Sequence, residues 1–384
     1  MTAQIINTEN KNADPKLGFG LMRLPRKGLI IDIEQVKTMV DLFIEAGFTY
    51  FDTAYVYPGS EAAARRALVE RYPRDSYTLA TKLNALVTPT EKAARKQFST
   101  SLDHTGAGYF DYYLLHALMQ SNYSRYEKLA LWDFVGEQKA KGFIKNLGFS
   151  FHSGPELLDK LLTEHPEVDF VQLQINYADW ENPRITSRAN YEVARKHGKQ
   201  IAIMEPVKGG SLAAPPAEVQ KLFKDIHPEM SFASWAIRFA ASLDGILIVL
   251  SGMSNIEQMK DNISYMRDFK PLDETEQEAI RKAQRILGKS STVPCTACRY
   301  CVEGCPQQIP IPEIFAAMNK QLGNGQSEDA RKSYYNAVSG GHGAPDCIGC
   351  RKCESACPQH LSITEYLKKA SEMFDDTHEG NADS

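Results

Sequence analysis

All eight cysteines of this 384-residue chain fall between Cys295 and Cys357, as one spacing written twice. Cys295, Cys298, Cys301 and Cys305-Pro306 form C-x2-C-x2-C-x3-C-P, and Cys347, Cys350, Cys353 and Cys357-Pro358 repeat it. Three thiolates spaced this closely can wrap one face of a cubane, so the pattern points to 4Fe-4S clusters. The alternatives are a pair of four-cysteine zinc sites, which the doubled spacing disfavours, and disulfides, which belong to exported chains.

Upstream of the cysteines the pattern is different. From Lys16 to Met253, short apolar or β-branched runs alternate with helical patterns, as repeated β-α units around a parallel sheet require. Eight runs are expected as strands: 17–22, 48–53, 77–83, 110–116, 144–150, 170–175, 200–204 and 246–251. Eight strands over roughly 250 residues fit a (β/α)8 TIM barrel better than an open doubly wound sheet. Asp32, three residues before Gln35, reads as a helix cap, and Pro155 and Pro183 read as first-turn prolines. A charged helix at 273–287 and the linker Gly288-Lys289-Ser290-Ser291 place the domain boundary near residue 290. The expected organisation is a barrel over 1–290, a mainly helical cysteine domain over 291–374 and an acidic, disordered tail over 375–384. Between the cysteine runs, 311–322 and 328–338 look helical, ahead of a glycine-rich loop at 339–343.

Charge and hydropathy exclude two partner classes. A net charge of −4 offers no basic field for nucleic acid. From Ser291 onward, 12 acidic residues stand against 8 basic ones, whereas the first 290 residues carry 36 of each. Cluster thiolates would add to that acidity, which suits a basic redox partner. The polar stretch Met1 to Asn12 and the lack of any run of 18 apolar residues predict neither export nor a membrane span, hence a cytoplasmic protein.

Barrel active sites form at the carboxyl ends of the strands, and four polar residues stand there in order. Asp52 and Tyr57 follow the second strand in Phe51-Asp52-Thr53-Ala54-Tyr55-Val56-Tyr57, Lys82 ends the third, and His116 ends the fourth in Tyr113-Leu114-Leu115-His116. Together they resemble the Asp, Tyr, Lys, His tetrad of the aldo-keto reductases. The resemblance covers residues 16–270 and includes Ala46-Gly47-Phe48-Thr49-Tyr50-Phe51-Asp52-Thr53-Ala54 and Asp111-Tyr112-Tyr113-Leu114-Leu115-His116. With the cysteine region added, the chain looks like the branch of that family carrying a carboxy-terminal iron-sulfur domain, here similar to helical two-cluster ferredoxins. In such ferredoxins the remote fourth cysteine reaches the other cluster. On that rule Cys295, Cys298, Cys301 and Cys357 hold one cluster, and Cys347, Cys350, Cys353 and Cys305 hold the other.

The resemblance implies reversible NAD(P)H-dependent reduction of an aldehyde or ketone to an alcohol. Hydride delivery leaves an alkoxide that must be protonated, which requires a general acid. Tyr57 is the candidate. A free phenol titrates near pH 10, so the Lys82 ammonium would stabilise the phenolate left behind. Asp52 would hold Lys82, and His116 would orient the carbonyl by a hydrogen bond.

The cofactor residues follow from the resemblance as well. Gly18-x-Gly20 lacks a third glycine, with Arg23 standing in its place, so no dinucleotide fingerprint is present. That agrees with a cofactor lying extended across a barrel mouth. Met22 and Asp52 join the cofactor site, and Ser150 and Gln172 correspond to carboxamide contacts. Phe151 replaces the family's usual Asn, leaving His152 or Glu205 as substitutes. Met204, Glu205, Pro206, Gly209 and Gly210 fall where the nicotinamide face and pyrophosphate are contacted, although Gly209-Gly210 reads equally as a plain turn. Ser251, Gly252, Gln258 and Asn262 fall where ribose and adenine lie. Gly252, Ser254 and Gln258 replace the basic residues that many members use for the 2′-phosphate, which tilts NAD(P)H toward NADH.

Nicotinamide moves two electrons as a hydride and each cluster moves one, a conversion that ordinarily requires a flavin, and no flavin motif is legible. Three readings remain: a carbonyl reductase whose clusters exchange electrons with a partner protein, the same enzyme with structural clusters, or an electron-transfer or redox-sensing protein whose barrel binds nucleotide without carbonyl turnover. The tetrad favours the first two. His104, His165 and His197 are expected to face solvent, and Trp180 either lines a substrate pocket or packs.

Overall fold

A computed structural model describes residues 15–324 and 327–375. Met1 to Asn12 and the acidic tail beyond Asp375 lie outside the described residues. The chain packs as two units: one runs to Val207 and resumes over Leu212–Gln284, and the other comprises Lys208–Ser211 and the chain from Arg285 on. The helix Glu274–Leu287 runs across that division, a few residues before the linker at 288–291.

The first unit is a closed barrel of eight parallel strands. They are β1 Leu17–Gly20, β2 Tyr50–Asp52, β3 Thr78–Leu83, β4 Phe110–Leu118, β5 Ile144–Phe151, β6 Phe170–Gln174, β7 Gln200–Met204 and β8 Ile246–Ser251. Each pairs with its sequence neighbours, and β1 closes the ring against β8. All eight expected strands are present, with ends shifted by a residue or two. The helices between them bury one face. Helix Ile33–Glu45 buries Val36, Met39, Val40 and Phe43, spaced at i, i+3, i+4 and i+7, while Asp32 caps it by accepting from the Gln35 N–H. Pro155 opens helix Pro155–Glu164. Pro183 does not open a helix: it lies in a turn, and the next helix begins at Ser187.

Parity along the strands decides what the barrel contains. Inward residues Tyr50, Ala80, Leu114, Phe170, Ala202, Ile248 and Leu250 form an apolar plug, joined by Tyr112. Gly148 makes room for it: a Cβ there would lie 2.5 Å from the Phe170 ring and 2.7 Å from its carbonyl oxygen. Because side chains alternate with period two, the next inward positions toward the carboxyl ends are Asp52, Lys82, His116, Ser150, Gln172 and Met204. A polar layer therefore sits directly on an apolar one.

The second unit has its own core, in which Cys301, Cys353 and Cys357 pack with Ile311, Ile314, Phe315, Leu361 and Leu367. Its two cysteine motifs repeat each other in backbone as well as sequence. Left-handed residues recur at matching places: Ala297 (φ 53°) and Gly349 (69°), Arg299 (68°) and Arg351 (56°), Gln308 (52°) and His360 (50°). Each motif then passes a short helical turn, Tyr300–Glu303 or Lys352–Ser355, into a longer helix, Ile311–Asn324 or Ile363–Phe374. Helix Ser327–Ala337 stands between the repeats, with Tyr334 stacked on Phe374 at 4.5 Å and bonded to Asp375. No helix among the described residues is long and apolar enough to cross a membrane.

Gly148→Ala is expected to lower the unfolding free energy by about 1–3 kcal/mol, because the plug cannot yield without displacing a backbone carbonyl; a urea midpoint unchanged from wild type would contradict the packing.

Candidate active site and cysteine cavities

Lys82 is the centre of the polar layer. Its Nζ lies 2.5 Å from Asp52 Oδ1 and 2.7 Å from the Thr53 carbonyl oxygen, and both members of the pair are almost wholly buried. The same ammonium lies 5.2 Å from the Tyr57 ring centroid. Tyr57 is half-buried, and its ring meets His116 edge-on at 5.7 Å. All four tetrad residues thus converge. Burial pulls Lys82 down from its ordinary value, opposed by the charges of Asp52 and Glu61, and pushes Asp52 up, opposed by Lys82. His116 is held well below the usual histidine range by burial, then by Lys82 and His152, so its imidazole is neutral at physiological pH.

Several expected contacts carry structural bonds. Ser150 Oγ accepts from the Ala117 N–H at 2.7 Å, holding the left-handed residue next to His116. Ser251 Oγ accepts from Asn262 Nδ2 at 2.6 Å, and Asn262 Oδ1 accepts from Tyr265 at 2.5 Å. Gln258 is exposed and accepts from the Ser254 N–H. Met22, in the turn after β1, and Met204, ending β7, are half-buried, and Pro206 is buried. Gln172 is different: its buried Oε1 meets no hydrogen-bond donor, and the same holds for Asp52 Oδ2. Gln172 Oε1 is thus an acceptor that a bound amide could satisfy, which fits the residue to a carboxamide.

Gly209 and Gly210 belong to the second unit. Gly209 has φ 65°, and a Cβ there would lie 2.6 Å from the Thr296 carbonyl oxygen. Backbone conformation and close approach therefore each require glycine at this place.

Some residues at the site had no sequence signal strong enough to find them. Glu61, four residues after Tyr57, is buried on the helix Ser60–Ala64, where Thr81 donates to Oε1 at 2.8 Å and His104 lies 3.1 Å from Oε2. The one hint is a carboxylate beside three alanines. Arg23 pairs with Glu205 at 3.5 Å, and its aliphatic stem lies near Gly252. Buried Asp179 accepts from Gln174 and Asn176 and fixes the loop after β6. Trp180 packs on Tyr191 and Phe239, and His165, expected in solvent, stacks on Trp132 at 3.8 Å because its flat ring covers the indole better than water does.

In the second unit the cysteines surround two cavities. Cys295, Cys298, Cys301 and Cys357 line one, together with Phe315 and Leu361. Cys305, Cys347, Cys350 and Cys353 line the other, together with Ile309 and Leu367. Each cavity takes three sulfurs from one motif and the fourth from the other. Burial raises the Cys301 and Cys357 thiols and pushes Cys353 up to about 11. Metal binding reverses that preference, since a coordinated thiol is deprotonated outright. Backbone N–H groups of Leu361, Gln359 and His360 favour the Cys357 thiolate, as a sulfur ligand requires.

Residues 16–285 match the aldo/keto reductase family model, and residues 294–363 match the 4Fe-4S dicluster domain. The fold and site thus define a barrel oxidoreductase with an iron-sulfur module. The chain belongs to the aldo/keto reductase family and carries a 4Fe-4S dicluster ferredoxin domain at its carboxy-terminal end. An aldo-keto reductase of Mycolicibacterium vanbaalenii is 26% identical over 264 residues, covering 67% of this chain and 84% of the relative. Two solved structures share the fold. The holo form of an aldo-keto reductase from Bacillus halodurans superposes with a TM-score of 0.56 at 22% identity, covering 70% of this chain and 91% of its own. An aldo/keto reductase from Klebsiella pneumoniae, solved with NADP and acetate, gives 0.57 at 17%, covering 72% and 93%.

Removing one member of the buried pair exposes what the other costs. Lys82→Met is expected to destabilise the barrel by about 3–5 kcal/mol at pH 8, because Asp52 is left charged and unpaired. Without Lys82 the folded Asp52 titrates still higher above its unfolded value, so the deficit shrinks as pH falls and the carboxylate protonates. Chemical denaturation at pH 8 and pH 5 checks this, and adding Asp52→Asn should recover part of the loss.

Proposed function

We propose that this chain reduces an aldehyde or ketone to its alcohol, reversibly, with NAD(P)H, and that its cysteines hold two 4Fe-4S clusters. The observation that carries the first part is the buried Lys82 ammonium placed between the Asp52 carboxylate and the Tyr57 ring. When bound at the strand ends, the nicotinamide supplies the hydride. Gln172 Oε1 would accept from its carboxamide, and Ser150, already bonded through its oxygen, would have its own O–H to donate.

The neutral His116 donates a hydrogen bond to the substrate oxygen and turns it toward Tyr57. Charge that builds on that oxygen is met by the Tyr57 O–H, which gives up its proton. Lys82 stabilises the phenolate through its positive charge, and Asp52 keeps Lys82 charged against the burial that would neutralise it. In the alcohol-oxidising direction the Tyr57 phenolate takes the proton. The NADP in the Klebsiella structure supports a dinucleotide at this mouth. Here Gly252, Ser254 and Gln258 leave the choice between NADH and NADPH to Arg23, the cation standing beside Gly252.

The cluster reading rests on two cavities, each lined by four cysteine sulfurs drawn three from one motif and one from the other. Bound there, the clusters supply one-electron capacity, with a partner protein as source or sink.

Tyr57→Phe should lower kcat for carbonyl reduction by about 10²–10⁴-fold while dinucleotide binding, read by fluorescence quenching, stays within about twofold. Retained turnover would remove Tyr57 as the acid, whereas wild-type protein that binds dinucleotide and turns over no carbonyl in a broad panel would favour the electron-transfer reading. The crossed ligand sets give a second expectation. The Cys298→Ser, Cys357→Ser double variant strikes one cavity and should keep about four iron atoms, whereas Cys298→Ser with Cys305→Ser strikes both and should keep none.

A further inference from the structure

The two cysteine motifs share a backbone but not an environment. In the first, Thr296 is buried with Gly209 packed against its backbone, and Arg299 is ion-paired with Glu313. In the second, every residue from Ile348 to Lys352 is exposed, including the ligand candidate Cys350. Ile348, the counterpart of Thr296, leaves 63% of its surface open. Arg351, the counterpart of Arg299, makes no ion pair with Glu365, which corresponds to Glu313. Its carboxylate neighbour is Glu354 at 3.8 Å, and Glu354 Oε1 already accepts two bonds from Thr364. Lys352 has no carboxylate within ion-pairing distance among the described residues. The second motif thus presents an exposed apolar residue, an exposed sulfur and two adjacent cations, of which Lys352 has no ion pair among the described residues, whereas in the first Thr296 is buried and Arg299 is paired.

We propose that the surface from Ile348 to Lys352 is the port through which this chain exchanges single electrons with an acidic carrier protein. The proposal rests on the reading that Cys305, Cys347, Cys350 and Cys353 hold a cluster. One electron passes between that cluster and the redox centre of the carrier, one being oxidised as the other is reduced, with no bond made or broken and no proton moved. Close approach governs such a transfer, and Cys350 alone of the eight cysteines is exposed.

The sign of the partner follows from range. Residues from 291 on are acidic in sum, which by itself would favour a basic carrier. The Debye length is about 8–10 Å at physiological ionic strength, so distant carboxylates are screened while Arg351 and Lys352 act at the contact. An apolar centre rimmed by charge is also the anatomy of a small, transient interface.

The test uses the full-length, iron-loaded chain, reduced anaerobically and mixed by stopped flow with an acidic plant-type 2Fe-2S ferredoxin or, separately, with basic cytochrome c. With the ferredoxin, the bimolecular rate should fall with added salt and fall at least about tenfold in R351E/K352E, with a matching loss of affinity by calorimetry. R331E/K332E, a charge reversal of the same size on the helix Ser327–Ala337, should leave both unchanged. If R351E/K352E loses iron, R351Q/K352Q carries the test with a smaller slowing. Wild-type protein holding iron for fewer than two clusters overturns the cluster reading and the port together. Full iron with a ferredoxin rate indifferent to both substitutions, or faster exchange with cytochrome c than with ferredoxin, overturns the port alone.

Discussion

The barrel is organised around a charge it can hold only in company. A lysine as buried as Lys82 would shed its proton if desolvation acted alone, and Asp52 would take one up. Placed 2.5 Å apart, each makes the other's charge tolerable. That mutual dependence fixes the ends of β2 and β3 relative to one another. It also keeps a positive charge beneath Tyr57, and the neutrality of His116 follows partly from the same ammonium. Glu61, anchored by Thr81 and His104, extends the arrangement outward without touching Lys82 directly.

The polar layer works because of what lies beneath it. Tyr50, Tyr112 and Phe170 fill the barrel with rings at 5.1–5.2 Å spacings, so the charges rest on a floor that excludes water. A dry floor strengthens each electrostatic interaction in the layer. In the second unit the corresponding constraint is coordination. Its core packs three of its own candidate ligands, Cys301, Cys353 and Cys357, so the hydrophobic and metal-binding interiors are the same interior. Folding there is expected to depend on what the sulfurs hold.

Much of this was legible beforehand. The eight strands, the cap at Asp32, both helices between the cysteine motifs and the placing of Asp52, Lys82 and His116 at strand ends could be read because each rests on local periodicity or a short spacing. What was missed depended on long-range packing. Pro183 looks like a helix start, but the loop after β6 is held in turns by Asp179. His165 carries a charge-capable ring that sequence places in solvent, yet Trp132 offers it a flat apolar partner. Ser251 and Asn262, read as ribose or adenine contacts, also bond each other across eleven residues of chain, which no spacing announces.

The sequence by itself determined the groups on offer: two C-x2-C-x2-C-x3-C-P runs, and a carboxylate, a phenol, an amine and an imidazole at or just after the ends of successive strands. These are matters of residue type and spacing along the chain. Only the tertiary structure decided which groups meet. It set four sulfurs from two motifs around each cavity, left Gln172 Oε1 without a donor and put the turn at Gly209 against Thr296. The physical reason is that spacing fixes neighbours along the backbone, whereas burial, and with it charge state and hydrogen-bond satisfaction, is set by residues distant in the chain.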